Sequence, residues 1–324
     1  MGLMWWIREG GKAQNEWQKV TLSGTTMGTT YSVKYLMEQP QDFQPSIDSL
    51  LNDFNQCLST YIPDSEISQF NKGVLHKFQR PYFYEMLTQS KTIYQKTHGA
   101  FDPTVMPLVA AWGFGAEATD LPSDKKVESI LSAVGFENVF FDELAVCKVH
   151  QAAQLDFSAI AKGYAVDLVM QYLQQQDLNN IFVEIGGEIS AVGVNELGKP
   201  WAIYIEKPEE QGREIQALVT LDDIAVATSG NYRNFYIKDG KKYAHTISPH
   251  TGYPVQHSLL SVSVFAKSCA KADAYATAFM VLGLEQALQI TKADQELEAY
   301  FIYQKEDGQL ASTATKGLLN AITE

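Results

Sequence analysis

The chain lacks most of the features that assign a protein quickly. It has only three cysteines, Cys57, Cys147 and Cys269. They lie far apart without metal-ligand spacing, so a zinc site is not expected and at most one disulfide can form. No apolar run reaches the roughly 18 residues that a membrane-spanning helix needs. The opening residues, MGLMWWIREGGKAQ, show neither a long apolar core nor a small-residue cleavage site, so no secretory signal is expected within them. There is no dense Lys/Arg cluster and the net charge is −13, which argues against nucleic acid and against charge-driven binding to an anionic membrane. The patterns GxGxxG, GxxxxGK[ST] and GxSxG are all missing, as is a credible Ser-His-Asp constellation. No internal repeat and no low-complexity stretch breaks the chain.

What is present is ordinary globular composition: 324 residues, 45% hydrophobic and 19% charged, enough for a sizeable core. Residues 1–20 read as a polar tail or linker, and residues 21–324 as the folded domain. TLSGTTMGTTYSVKY predicts a strand, a glycine turn and a second strand. Residues 45–58 and 81–98 carry helical periodicity, the first with Ile47, Leu50, Leu51, Phe54 and Leu58 on one face. GAFDPTVMPLVAAWGFG is too apolar for a free loop and is expected to pack over something. SAIAKGYAVDLVMQYLQQQ predicts a helix with Ser158 as its N-cap. NIFVEIGGEISAVGVN reads as a buried strand broken at Gly186-Gly187. Further strands follow, then a helix over KADAYATAFMVLGLEQALQI and a closing hairpin, EAYFIYQ with GQLASTATKG. Strands and helices mix without regular βαβ alternation, so the expected class is α+β, with mixed or antiparallel sheets and packed helices.

Several residues are candidates for chemistry. Asp273 and Thr277 are four apart on a predicted helix and face one direction. A carboxylate and a hydroxyl are hard oxygen donors that suit Mg²⁺, which keeps waters and takes substrate phosphate as further ligands. The competing reading is an Asp near a helix start and a Thr packed in the core. Lys162 falls in the first turns of its helix, where a cation opposes the helix dipole unless an anion lies nearby. That anion is either a ligand phosphate or the carboxylate of Asp156 or Asp167. Gly186 and Gly187 allow close backbone approach, by a ligand or by another chain segment. Thr228-Ser229-Gly230 ends a strand and forms either an anion-binding turn or a plain one. His245 is a candidate general base, although a lone histidine is more often structural. An acidic chain can hold a polyanion when a metal supplies the local positive charge.

Together these segments, GTTMGTTY, LSTYIPDSEISQFN, GAFDPTVMPLV, LDFSAIAKGYAVD, VEIGGEISAVG, GKPWAIYIEKP, AVATSGNYRNF, HTISPHTGYPV and ADAYATAFMVLG, give a chain that resembles the ApbE family of flavin transferases from about Ser23 to the C-terminus. The resemblance implies a cleft holding FAD as substrate and Mg²⁺, with FMN transferred to a Thr or Ser hydroxyl of another protein and AMP released. It implies that Asp273, Thr277 and the carbonyl of Ala159 hold the metal. Tyr61 would stack on the isoalloxazine ring. Met27, Asp102, Glu184, Gly186 and Gly187 would line the FAD site, with Lys162, Thr228 and Ser229 at the phosphates. His245 would be the base, and Asp273 would share in catalysis.

The sequence departs from the common pattern at Ser248, where many members carry Asp, and in DFSAIAKG, where many read DLGGIAKG or DLGAIAKG. The family also implies a lipid-anchored location on the periplasmic side of the bacterial inner membrane. Its acceptors carry a motif like D-x-x-[ST]-G-[AST]-[ST], as in subunits of sodium-pumping NADH:quinone reductase and related electron-transfer complexes. The alternatives to transfer are an FAD pyrophosphatase using the same site, a non-catalytic FAD-binding protein, and a structural α+β module.

Overall fold

A computed structural model describes residues 17–114, 121–208, 214–231, 235–238 and 241–323; most of the expected N-terminal tail lies outside them. The core is an eight-stranded sheet. In spatial order it runs Gln18–Thr26, Thr29–Met37, Ile181–Ile185, Glu188–Val192, Ile224–Gly230, Leu259–Ala266, Glu298–Gln304 and Leu310–Ala314. Every neighbouring pair is antiparallel, as the α+β reading expects. Short hairpins suffice for several of these neighbours, which is why regular βαβ alternation is missing from the sequence.

Helices cover one face of the sheet. Gln44–Leu58 buries Ile47, Leu51, Phe54, Cys57 and Leu58, nearly the stripe its periodicity predicts. Ala161–Gln174 and Cys269–Leu282 lie side by side over the central strands. The second of these is apolar on most of its circumference, with ten of its residues buried, as expected of a helix enclosed between neighbours. The opposite face is covered by a three-stranded sheet, Trp201–Glu206, Ile215–Leu221 and Ile322–Thr323. Its Trp201, Ile205, Val219 and Leu221 pack on Phe182, Val226, Phe265 and Ile302. The GAFDPTVMPLVAAWGFG segment does pack: Leu108 and Trp112 are buried with Val127, Val134 and Ile247, and Trp112 Nε1 donates to the Gly252 carbonyl at 2.7 Å.

Four expectations need correction. KADAYATAFMVLGLEQALQI is not one helix but parts of two, Cys269–Leu282 and Leu284–Ala293, separated by Gly283 with φ of 78°. Gly186-Gly187 does not interrupt one strand but is the two-residue turn of a hairpin, Ile181–Ile185 with Glu188–Val192. Both glycines have positive φ, 62° and 103°, the backbone that a tight hairpin turn requires and that glycine supplies without steric cost. Ser158 is not an N-cap. Its N–H and hydroxyl both donate to Asp156 Oδ1, at 2.8 and 2.6 Å, and the helix starts at Ala161 after Ile160. Finally, the C-terminal hairpin does not close the fold, because Ile322–Thr323 returns to pair with Ile215–Leu221.

The helices Ala161–Gln174 and Cys269–Leu282 approach so closely that only glycine fits at their contact. A Cβ on Gly163 would lie 2.3 Å from the Cys269 carbonyl oxygen and 2.8 Å from Ala270 N. Those are backbone atoms and cannot step aside as a side chain can. Gly163→Ala is therefore expected to cost about 3 kcal/mol, at the upper end for overpacking, read as a lowered melting temperature. A melt unchanged within a degree would show that the two helices part freely.

Candidate active site

The hairpin topology brings distant segments to one end of the sheet. Thr26 and Thr29 flank the turn Met27-Gly28, and Gly186 N donates to the Thr30 carbonyl at 3.0 Å, so the two tight turns stand side by side. Strand Ile224–Gly230 runs toward the same end and carries Ser229 past the last paired residue of its neighbour Glu188–Val192. Met27 has φ of 52°, an uncommon backbone for a residue with a side chain.

Above this end the starts of the two crossing helices meet. Asp273 accepts a hydrogen bond from Gly163 N at 3.0 Å. In return Asp167 accepts from Cys269 N, Ala270 N and the Ser268 hydroxyl, at 2.8, 3.0 and 2.8 Å. Each helix thus supplies a carboxylate to the open N–H groups of the other. Lys162 Nζ pairs with Glu188 Oε1 at 2.5 Å. Thr277, one turn along from Asp273, places its hydroxyl 3.5 Å from that of Ser229.

These groups perturb one another. Burial pushes Asp273 above the usual carboxylate range, opposed by Lys162 and the Gly163 N–H. Burial and the charge of Asp273 together push Glu188 to about 7, with Lys162 partly offsetting them. Burial works against the Lys162 ammonium, but Asp273 and Glu188 outweigh it and hold its pKa above the ordinary value. Glu188 is only 3% exposed, and its Oε2 is buried with no hydrogen-bond partner. Two buried carboxylates around one ammonium leave a local excess of negative charge, which a bound cation would relieve.

Not every sequence candidate joins this cluster. Side chains alternate across a strand, so Thr228 and Ser229 point to opposite faces. Only Ser229 faces the helix bearing Thr277; Thr228 is spent on Ser263, hydroxyl to hydroxyl at 2.7 Å. Glu184 likewise lies across the sheet from Lys162, with its Oε1 accepting from Gly187 N at 2.7 Å. The carboxylate that reaches Lys162 is Glu188, which sequence reasoning missed. Counting outward from the two-residue turn pairs Ile185 with Glu188 on one face and would have found it. Ala159 sits in the turn that leads into the Lys162 helix.

The remaining candidates surround the cluster. Tyr61 is 81% exposed on the loop after helix Gln44–Leu58, and Asn55 of that helix donates to the Thr26 hydroxyl beside Met27 at 3.0 Å. His245 packs edge-on to Phe114, ring centroids 6.3 Å apart. Its neighbour Thr246 donates to Asn231 Oδ1 at 2.6 Å, which ties the histidine segment to the end of the Ser229 strand. Ser248 serves the following turn: its hydroxyl accepts from Thr251 N at 3.4 Å and its carbonyl from Gly252 N at 2.8 Å. An Asp there could serve the same turn. Asp102 is buried, and its Oδ1 accepts from Thr104 N and Thr104 Oγ1 at 2.8 and 2.7 Å. The adjacent Pro103 carbonyl accepts from Asp156 N at 2.8 Å, joining this segment to the turn that holds Ala159. Among the described residues no group of three or more His, Cys, Asp and Glu is arranged as a metal site. Any metal here must draw on hydroxyl, carbonyl and ligand oxygens as well.

An ammonium, two hydroxyls and two buried carboxylates converge at one sheet end. The chain belongs to the ApbE family, whose model matches residues 27–301. It is 40% identical over 319 residues to the FAD:protein FMN transferase of Vibrio cholerae, covering 94% of this chain and 93% of that protein. It is 37% identical to the corresponding transferase of Haemophilus influenzae, covering 93% and 91%. Among solved structures it resembles the flavin transferase ApbE from Vibrio cholerae, with a TM-score of 0.86 at 38% identity, covering 94% and 99% of the two chains. The apo flavinyl transferase ApbE of Pseudomonas stutzeri gives 0.85 at 33% identity, covering 94% and 97%.

Asp102 offers a test of this environment by pH. Burial raises it to about 6, against the hydrogen bonds of Thr104, with the charge of Glu137 adding to the rise. Its folded pKa exceeds its unfolded one, so the folded state binds the proton more tightly. Stability is then greatest below the unfolded pKa and falls as pH rises toward about 6, by on the order of 3 kcal/mol if Asp102 acts alone. Asp102→Asn keeps the Oδ1 acceptor and removes the charge. It is expected to melt higher than the parent at pH 7 and no higher at pH 4. Equal melting differences at both pH values would contradict the raised pKa.

Proposed function

We propose that this protein is an FAD:protein FMN transferase. The observation that carries the reading is the crossing of the two helix starts. It sets Lys162, Asp273, Thr277 and Ser229 at one sheet end, between Met27 and the segment of His245. Lys162 and Ser229 would hold the pyrophosphate of FAD, while Met27 and Tyr61 hold the ring. Mg²⁺ fits the donors present: a carboxylate and a hydroxyl on one helix face, the Ala159 carbonyl, and beside them a buried carboxylate oxygen without a partner. When bound, the metal stabilises the charge that develops on the phosphate oxygens.

The chemistry for the chain's own residues is proton transfer and positioning. A Thr or Ser hydroxyl of the acceptor attacks the FMN phosphorus while His245 takes its proton. The bond from that phosphorus to the bridging oxygen breaks, and AMP leaves with the electron pair. Lys162 stays charged throughout, so it can counter the charge on the leaving phosphate. We propose a periplasmic, lipid-tethered setting, with acceptors that present D-x-x-[ST]-G-[AST]-[ST] on subunits of redox complexes such as sodium-pumping NADH:quinone reductase.

The test is mass spectrometry of a candidate acceptor after incubation with the protein, FAD and Mg²⁺, with an EDTA control. A metal-dependent gain of one FMN less water on the acceptor residue is expected. FMN and AMP free in solution, with an unmodified acceptor, would instead indicate a pyrophosphatase. Asp273→Ala should abolish the metal-dependent gain. His245→Ala should slow it about 10²- to 10⁴-fold with FAD affinity nearly intact; loss of FAD binding would make His245 a ligand contact rather than the base.

A further inference from the structure

Tyr61 is an exposed aromatic on a short loop, a poor platform unless its backbone is held, because ordering a loop on binding costs affinity. The loop is held by the helix that follows it, Glu66–Lys72. Ser65, its N-cap, donates to the Ser59 carbonyl at 2.7 Å. Gln69 Nε2 donates to the Asp64 carbonyl at 2.9 Å, and Lys72 Nζ to the Pro63 carbonyl at 2.7 Å. The far end of the same helix is tied to the chain entering the phosphate end of the site. Asn71 Nδ2 donates to the Leu155 carbonyl at 2.9 Å, and Leu155 N donates to Asn71 Oδ1 at 2.8 Å. Leu155 directly precedes the Asp156–Lys162 segment.

The helix is in turn gripped by its first residue. Glu66 is 1% exposed, a costly place for a carboxylate unless its oxygens are fully used. They are: Gln79 N and His76 Nε2 donate to Oε2 at 2.9 and 3.1 Å, and Arg80 Nη1 to Oε1 at 3.2 Å. Arg80 Nε also donates to Asp53 Oδ1 at 2.7 Å, reaching the helix on the other side of the Tyr61 loop. One buried acid thus fixes the elements before and after that loop.

We propose that helix Glu66–Lys72 is a strut that sets the Tyr61 ring relative to the phosphate end of the site, with Glu66 as its positioning residue. This rests on the reading of Tyr61 as the surface on which the flavin ring stacks. Glu66 touches no ligand; it acts through the loop.

The test compares a ligand with the ring, FMN, and one without it, ADP, on the full chain. Glu66→Gln is expected to weaken FMN binding about tenfold, the loss of a buried charge-assisted hydrogen bond, and to leave ADP binding unchanged. Amide exchange over residues 59–65 in the free protein should quicken. In a Tyr61→Ala background Glu66→Gln should have no further effect on FMN. Equal weakening of ADP and FMN, or equal weakening of FMN with and without Tyr61, would overturn the strut and leave Glu66 merely structural. Should Glu66→Gln fail to fold, Ser65→Ala carries the same comparison at the loop end. Tyr61→Ala alone leaving FMN affinity unchanged would remove the stacking reading, and the positioning role with it.

Discussion

The exchange of carboxylates between two helix starts is the interaction on which the rest of the site depends. Helix N-termini carry unpaired N–H groups and a partial positive charge. In this fold two such ends are pressed together at Gly163, too close for water to serve every donor. Asp167 serves one end and Asp273 the other. The register of the helices follows from these bonds, and with it the positions of Lys162 and Thr277. Either Asp removed alone would leave buried donors unpaired, so the pair is structural.

The net charge of −13 does not by itself bar the pyrophosphate that the proposed reaction requires. Net charge governs long-range attraction, which salt screens over about 8–10 Å. Binding is decided by the groups in contact. Around the site these are an ammonium, hydroxyls and two helix starts, with carboxylates already engaged in holding them. Glu188 keeps one buried oxygen without a hydrogen-bond partner, an unmet demand for positive charge or a donor at this end of the sheet.

Much of this was legible in the sequence. The helix at 45–58, the packing of the Gly/Pro/aromatic segment, the antiparallel α+β class and the placing of Asp273 and Thr277 one turn apart on a helix follow from periodicity and composition. What was not legible turned on faces and partners. IFVEIGGEISAV is largely apolar on both sides of its glycines, so its hairpin hid inside an apparent single strand. With the turn missed, the face on which each glutamate lies was lost, and Asp156 and Asp167 were offered as partners for Lys162 where Glu188 stands. Ser158 has the residue type of an N-cap, but its hydroxyl is claimed by Asp156 two residues earlier, and the carboxylate serving the helix start comes from residue 273. A bond across more than a hundred residues leaves no local pattern.

Rigidity is divided unevenly across the site. The end that carries Lys162 and Ser229 is built on a central sheet, two packed helices and buried charge, and its geometry is set by the core. The Tyr61 loop has an order borrowed from a short helix and one buried acid. That division suits a group transfer. The reacting phosphorus must be held within a fraction of an ångström of an incoming hydroxyl, whereas the flavin must leave the enzyme attached to another protein. A platform secured by hydrogen bonds to loop carbonyls can give way at less cost than a strand in the sheet, because local opening draws on the least densely packed elements. Tight phosphate placement and release of the ring therefore make opposite demands on stiffness, and with the ring on Tyr61, as proposed, the fold meets them in different elements.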